Sequence, residues 1–192
     1  MNKIHKILYR KSDKILLATF LSTVFYSTAY PTIHKEIVIH ISDFMIASEQ
    51  IISCLGVVIA SVLWNKYSDI LFRKFPFFCV FETVAGITTT TYAIMSDNII
   101  IYYILDTFVF AMITRNIICG GNRLRSERYR KESEREHFDN NNLSASAIAT
   151  IIGSCIAMLL DLDFKVMLCV STFGNALDNI LYIQVYRENQ NK

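Results

Sequence analysis

Glu49, Glu82, Asp106, Arg115 and Asp178 stand inside long apolar runs of a 192-residue chain. In a bilayer each such charge costs a few kcal/mol unless it is paired or hydrated. Groups in that setting can bind a proton or an ion, hold a charged solute, or pair with one another. Glu82 and Arg115 each lie about five residues in from the basic end of their runs, so a rise of roughly 1.5 Å per residue puts them at one depth. An ion pair or a shared water network between them is expected. Asp178 sits deeper, on a polar stripe of Ser171, Gly174, Asn175, Asp178 and Tyr182 at helical spacing; Thr19, Ser22, Thr23, Tyr26 and Tyr30 make a second stripe. Asp106 and Glu49 fall in the outer halves of their runs. For every one of these groups a plainer role is open, a hydrogen bond between helices.

Other chemistries find no footing. The five cysteines, Cys54, Cys79, Cys119, Cys155 and Cys169, form no C-x-x-C pair, and the four histidines are scattered, which points to no disulfide framework, no metal and no cofactor. There is no nucleophile elbow, phosphate loop or acid pair on a soluble site, so no enzyme is expected.

The elements that must position these charges follow from composition. With 53% hydrophobic residues, two prolines and a mean hydropathy of +0.34, the chain is too apolar for a soluble domain of this length. A hydrocarbon core about 30 Å thick needs roughly 20 mostly apolar residues per helical span. Six spans fit, at about 15–38, 44–64, 77–96, 98–121, 143–161 and 164–186, giving an all-α integral membrane protein with 1–192 as one six-span domain. Sixteen of the nineteen Lys and Arg fall on one side of this path: Lys3, Lys6, Arg10, Lys11, Lys14; Lys66, Arg73, Lys74; Arg123, Arg125, Arg128, Arg130, Lys131, Arg135; Arg187 and Lys192. Lys35 and Lys165 face the other side and Arg115 is inside a span. Both termini are therefore expected in the cytoplasm. The first span has no small-x-small cleavage site after it and reads as uncleaved. The segment at about 122–142 mixes acids and bases at helical spacing, Glu127 with Lys131 for example, and reads as a solvated cytoplasmic helix with a break at Asn140–Asn142. Its net charge is too small for a nucleic-acid arm; Arg123, Arg125 and Arg128 suit a weak attraction to anionic headgroups.

The stretch "WNKYSDILFRKFP", Trp64 to Pro76, is the expected cytoplasmic turn between spans two and three. It resembles the loop signature of the major facilitator superfamily, G-x-L-a-D-R-x-G-R-R. Asp69 matches the acid, and Arg73 and Lys74 match the paired bases. Asn65, Ile70 and Phe72 depart from it, and the two missing glycines bear on the loop's tight packing. Span four ends in "TRNIICGG", where Arg115, Gly120 and Gly121 are similar to the fourth-helix R-x-x-x-G element with one extra residue. Span five, "SASAIATIIGSCIAML", repeats Ala145, Ala149, Gly153 and Ala157 every four residues, which lets a neighbouring helix approach closely. It also resembles the G-x-x-x-G-P-x-x-G pattern of the antiporters, with Ser154 in place of proline.

The resemblance covers nearly the whole chain but only the N-terminal six-helix half of the family's architecture. That family joins two such halves, each built from inverted three-helix repeats, around a central site; no sequence repeat is visible between 1–96 and 97–192. The resemblance implies that the first, second, fourth and fifth helices face the cavity. Tyr26, Tyr30, Glu49, Asp106 and Arg115 are then the candidates for cavity or coupling roles, and Glu82 and Asp178 are structural. It implies secondary transport of a small solute, efflux included, across the cell membrane, by a homodimer or with a separate second six-helix subunit. The alternative is a non-transporting accessory or immunity-type membrane protein, or a truncated transporter fragment.

Overall fold

The computed structural model describes residues 14–96, 98–160 and 162–191, without the side chain of residue 110. The N-terminal bases Lys3, Lys6, Arg10 and Lys11, with His5 and Lys192, lie outside the described residues. Six helical rods make up the fold, and no strand occurs among the described residues. They are α1 (Lys14–His40), α2 (Asp43–Arg73), α3 (Phe75–Ser96), α4 (Ile99–Arg128), α5 (Glu132–Leu159) and α6 (Phe164–Gln190). Their starts follow ordinary capping chemistry: Ser42, Asn98 and Asp163 each offer a side-chain oxygen to a backbone N–H of the first turn. α5 has no side-chain cap but carries Glu132 and Glu134 in its first turn, where the helix dipole favours acids.

Five of the rods, α2 to α6, are long and apolar enough to cross a membrane. α1 has the length but falls outside that group, because the Thr, Ser and Tyr stripe from Thr19 to Tyr30 dilutes its apolar run. The outer faces carry large apolar side chains in the open, Phe44, Val62, Phe77 and Ile151 among them. Such a surface suits lipid and not water.

Three local details depart from the sequence expectation. The stretch from Trp64 to Pro76 is not an open turn. α2 stays helical through it, bends at Tyr67 (φ −127°, ψ 28°), and is separated from α3 by Lys74 alone, whose N–H reaches back to the carbonyls of Leu71 and Phe72. α4 runs on to Arg128 and the break falls at Tyr129–Lys131, whereas Asn140–Asn142 are helical. Asn costs a helix only a few tenths of a kcal/mol, too little to stop one that continues into an apolar span. Finally, the segment is not wholly solvated: Phe138 is buried, stacked on Tyr129 with Arg125 over its ring.

The rods pack in the order α5, α1, α6, α3, α4, α2, and α1 also touches α4. This set of main pairings is unchanged when α1, α2, α3 are exchanged for α4, α5, α6. The closest approaches obey the same exchange. Gly56 of α2 lies against the backbone of Ala111 in α4, so that a Cβ there would run into the Ala111 carbonyl; Gly153 of α5 lies against α1, where a Cβ would meet the Val24 carbonyl oxygen at 2.6 Å and Ser27 Cβ at 2.7 Å. α4 is interrupted between Phe110 and Thr114 by a π-helical turn, which inserts a residue and re-aims everything after it.

Candidate functional site

Three groups of polar side chains are built on this frame, at different depths. The outermost involves α1, α2 and α4. α2 presents Met45, Ser48, Glu49 and Ile52 on one face, spaced three and four residues apart, and α4 answers with Tyr103 and Phe108 across a crevice of about 190 Å³. Tyr103 Oη donates to Glu49 Oε2 at 2.5 Å. Ser48 donates its hydroxyl to the Phe44 carbonyl and Thr107 donates to the Tyr103 carbonyl. On α1, Tyr26, Tyr30 and His34 form a ladder, with centroids 5.2 Å apart at each step. Tyr26 is within electrostatic reach of Tyr30, Glu49 and Asp106, and Asp106 of Glu49. Tyr26, Tyr30 and Asp106 are exposed and Glu49 half-buried. Four of the five cavity candidates therefore converge.

Arg115 does not belong to that group. It follows the π-turn, nine residues after Asp106 or about 13 Å along the helix, is half-buried and engaged, and has Cys119 one turn away within electrostatic reach.

The middle group is centred on Glu82 of α3, which is only 3% exposed. Both its oxygens are taken by neutral donors: Oε1 by the hydroxyl of Thr114, and Oε2 by Asn179 Nδ2 at 2.7 Å. The ion pair expected with Arg115 is not among the ion pairs of the described residues. Equal depth was the ground for that pair, and depth leaves the direction around the helix open. Thr114, one residue or about 100° away, is the side chain that faces Glu82. Asn179 also donates to Thr83 Oγ1 at 3.2 Å. Asp178 is half-buried, with Oδ1 shielded from solvent and without a hydrogen-bond partner, in electrostatic reach of Glu82 and Tyr182. Higher on the same seam the Thr90 and Thr172 hydroxyls are 2.6 Å apart. Glu82 thus joins α3, α4 and α6.

The third group lies at the basic end. Asp69 pairs with Arg123 of α4, Nη2 to Oδ1 at 2.7 Å; the same guanidinium donates to Ser68 Oγ, pairs with Glu127 at 3.0 Å and lies over the Phe72 ring. Arg73 and Lys74, the bases matched to the loop signature, are exposed beside it. Glu127 takes Arg123 and Asn189 rather than Lys131, because α4 ends at Arg128 and Lys131 is off the helix. Lys14 and Arg128 both reach Glu188. Asp69 is 80% exposed in its side chain, and exposed pairs contribute about 0.2–1 kcal/mol. Asp69→Asn is therefore expected to leave the unfolding temperature within about 2–4 °C of wild type, with the difference shrinking at high salt; a larger loss in a thermal melt would mean the pair has a structural role its exposure does not suggest.

Sequence reading missed Tyr103, Thr114, Asn179 and Arg123 as partners. Tyr103 stood three residues before Asp106 and Asn179 next to Asp178, which were the available signals; Thr114 and Arg123 had none, since the π-turn and the bend at Tyr67 decide where they point. The small-residue row of α5 finds its neighbour in α1: Ala149 and Gly153 are buried there, and Ala145 and Ala157 half-buried beside them. Among the described residues no group of three or more His, Cys, Asp and Glu is placed to hold a metal ion. No protein-family model, curated protein or solved structure matches the chain.

Proposed function

We propose that the chain is a six-span unit similar to one half of a major facilitator transporter, seated in the cell membrane with both termini in the cytoplasm, and that it moves a small solute by secondary transport. The observation that carries this reading is the helix pairing that survives exchange of α1–α3 for α4–α6, close-approach glycines included. α1 and α4 run in opposite directions through the membrane, so the two halves are related as an inverted-topology repeat, the arrangement that in secondary transporters lets one repeat rock against the other around a site near the midplane. Sequence self-comparison could not find this repeat because packing geometry, and not residue identity, is what the halves share. In support, Tyr26 and Tyr30 of α1 and Asp106 of α4 are exposed, with half-buried Glu49 of α2 in electrostatic reach, while Glu82 of α3 and Asn179 of α6 are buried against each other.

α1 is then the sixth span. Its polar stripe suits a helix that faces a watered cavity and not lipid on every side. One open face needs a second to enclose a pathway, so the working unit is a homodimer or a complex with another six-helix subunit. No step of covalent chemistry is assigned. The test is solute flux in proteoliposomes under an imposed ion gradient. Wild type is expected to move at least one solute above protein-free background, with Asp106→Asn and Arg115→Gln each slowing it tenfold or more; flux no higher than background for every solute tried would sink the reading.

A further inference from the structure

The basic end holds two kinds of Lys and Arg. Arg123, Arg125 and Arg128, the bases expected to attract anionic headgroups, are paired with Asp69, Glu127, Asp139 and Glu188 of the same chain. Arg73 and Lys74 differ from them. Both are exposed, and among the described residues neither side chain makes an ion pair or a hydrogen bond. The nearest acid in the sequence, Asp69, is already taken by Arg123, which leaves the two bases as a local excess of positive charge. They sit at the one-residue joint between α2 and α3, and that joint is firmly held. Phe72 and Phe75 on either side are 4% and 0% exposed and pack against the Tyr186 ring. Lys74 N–H donates to the Leu71 and Phe72 carbonyls, and its own carbonyl accepts from the N–H groups of Phe77 and Phe78. The two charges are thus presented from a fixed backbone. Immediately after them α3 turns apolar side chains outward: Phe77, Phe81 and Val84 share one face at helical spacing, all exposed, with the first two rings stacked 5.9 Å apart. α3 is long and apolar enough to cross a membrane, so this ridge runs from the joint into the hydrocarbon.

We propose that the α2–α3 joint binds one anionic phospholipid of the cytoplasmic leaflet, with its phosphate at Arg73 and Lys74 and an acyl chain along Phe77, Phe81 and Val84. A guanidinium meets phosphate oxygens in a forked, charge-assisted pair, and the neighbouring ammonium adds a second point charge. A zwitterionic lipid brings the same phosphate and the same chains, but it carries its own cation beside the phosphate. Net charge is therefore what the joint selects, by about fivefold for each base near the membrane surface. The second dibasic pair, Arg130 and Lys131, lacks this setting. It is exposed at the α4–α5 break and followed by Glu132 and Glu134, with no outward apolar ridge beside it. The leaflet is taken from the orientation in the transport reading, whereas the binding itself does not require transport.

The test is native mass spectrometry of the protein released from an uncharged maltoside micelle after titration with dioleoylphosphatidylglycerol or dioleoylphosphatidylcholine. The first phosphatidylglycerol is expected to bind at least about tenfold tighter than the first phosphatidylcholine, and the preference should shrink as ammonium acetate is raised. Arg73→Gln combined with Lys74→Gln should abolish the preference. Arg130→Gln combined with Lys131→Gln, the same charge change at the other joint, should leave it unchanged. Phe77→Ala should weaken both lipids alike, since it touches the chain and not the headgroup. Equal binding of the two lipids by wild type, or equal losses in the two double variants, overturns the proposal, the latter because overall charge would then be acting and not a site. Displacement by glycerophosphoglycerol, the headgroup without chains, at equal free concentration would make the ligand a soluble phosphate ester and overturn the lipid assignment. Should the double variant at the joint fail to fold, Arg73→Gln and Lys74→Gln singly decide, each expected to lose about fivefold. Lipid preference without any solute flux would overturn the transport reading and leave the site standing; flux without lipid preference would do the reverse.

Discussion

Glu82→Ala is expected to lower the stability of the protein by about 2–4 kcal/mol, and Glu82→Gln by less than about 1 kcal/mol. The asymmetry comes from the partners. Asn179 is 1% exposed, and its Nδ2 donates to Glu82 Oε2 and Thr83 Oγ1 while its Oδ1 has no partner. Removing the carboxylate strands a buried amide in an apolar seam, at about 1–3 kcal/mol for the unsatisfied group, and leaves a void where the rest of the side chain beyond Cβ stood. Thr114 loses less, since a hydroxyl in a helix can turn to a backbone carbonyl. Helices separated in a membrane find substitute partners, which holds the total below the sum of these costs. Glutamine keeps the shape. Its oxygen accepts from Asn179 Nδ2 in place of Glu82 Oε2, and its amide donates to Thr114 Oγ1, whose own proton turns to a backbone carbonyl of its helix. Denaturant unfolding in a fixed detergent would show it; equal losses in the two variants would mean that the negative charge, and not the hydrogen-bond pattern, is what the site needs.

That pattern also marks where sequence reading stopped. The rods themselves were legible, because apolar length and the distribution of Lys and Arg respond to the bilayer, which acts on whole segments. So was the shared face of Tyr26 and Tyr30, since a stripe at helical spacing keeps its residues on one side; Glu49 and Asp106 were joined to them only through the family resemblance. What could not be read was azimuth across an irregularity. "FAMIT" carries no glycine or proline to announce the π-turn at Phe110–Thr114, yet that turn is what presents Thr114, and not Arg115, to Glu82. The bend at Tyr67 is equally silent, and it sets Asp69 against Arg123 within the chain. Asp69, the acid matched to the loop signature, thus finds its partner in α4 of the same chain. Composition shows the opposite limit: α1 reads as marginal because its hydroxyls dilute the apolar run, although of that stripe only Tyr26 and Tyr30 are exposed.

The other large effect is expected at the crossing of α1 and α5. Gly153→Leu should prevent the native packing of these helices, and Gly153→Ala should cost about 1–3 kcal/mol, the usual range for overpacking. A Cβ at 153 would lie 2.6 Å from the Val24 carbonyl oxygen, 2.7 Å from Ser27 Cβ and 3.1 Å from the Thr28 nitrogen. Two of these are backbone atoms, so no rotamer change relieves the clash and the helices must separate. Separation also stretches the 3.3 Å hydrogen bond from Thr28 Oγ1 to the Gly153 carbonyl, although Thr28 keeps its 2.8 Å bond to the Val24 carbonyl in its own helix. Alanine is otherwise the better helix former by about 0.8–1 kcal/mol, which makes Gly86→Ala the matched control. There a Cβ meets only the Thr172 methyl at 3.8 Å, and the substitution should leave stability unchanged or raise it slightly. If thermal unfolding ranked Gly153→Ala with Gly86→Ala, α1 and α5 would not be in backbone contact, and the correspondence between this crossing and that of Gly56 on α4 would go with it. If it ranked them as expected, Gly56→Ala should fall with Gly153→Ala. The inverted-repeat reading requires that pair to behave alike, since lipid supplies no hydrophobic push and close backbone approach is what holds each outer helix to its partner.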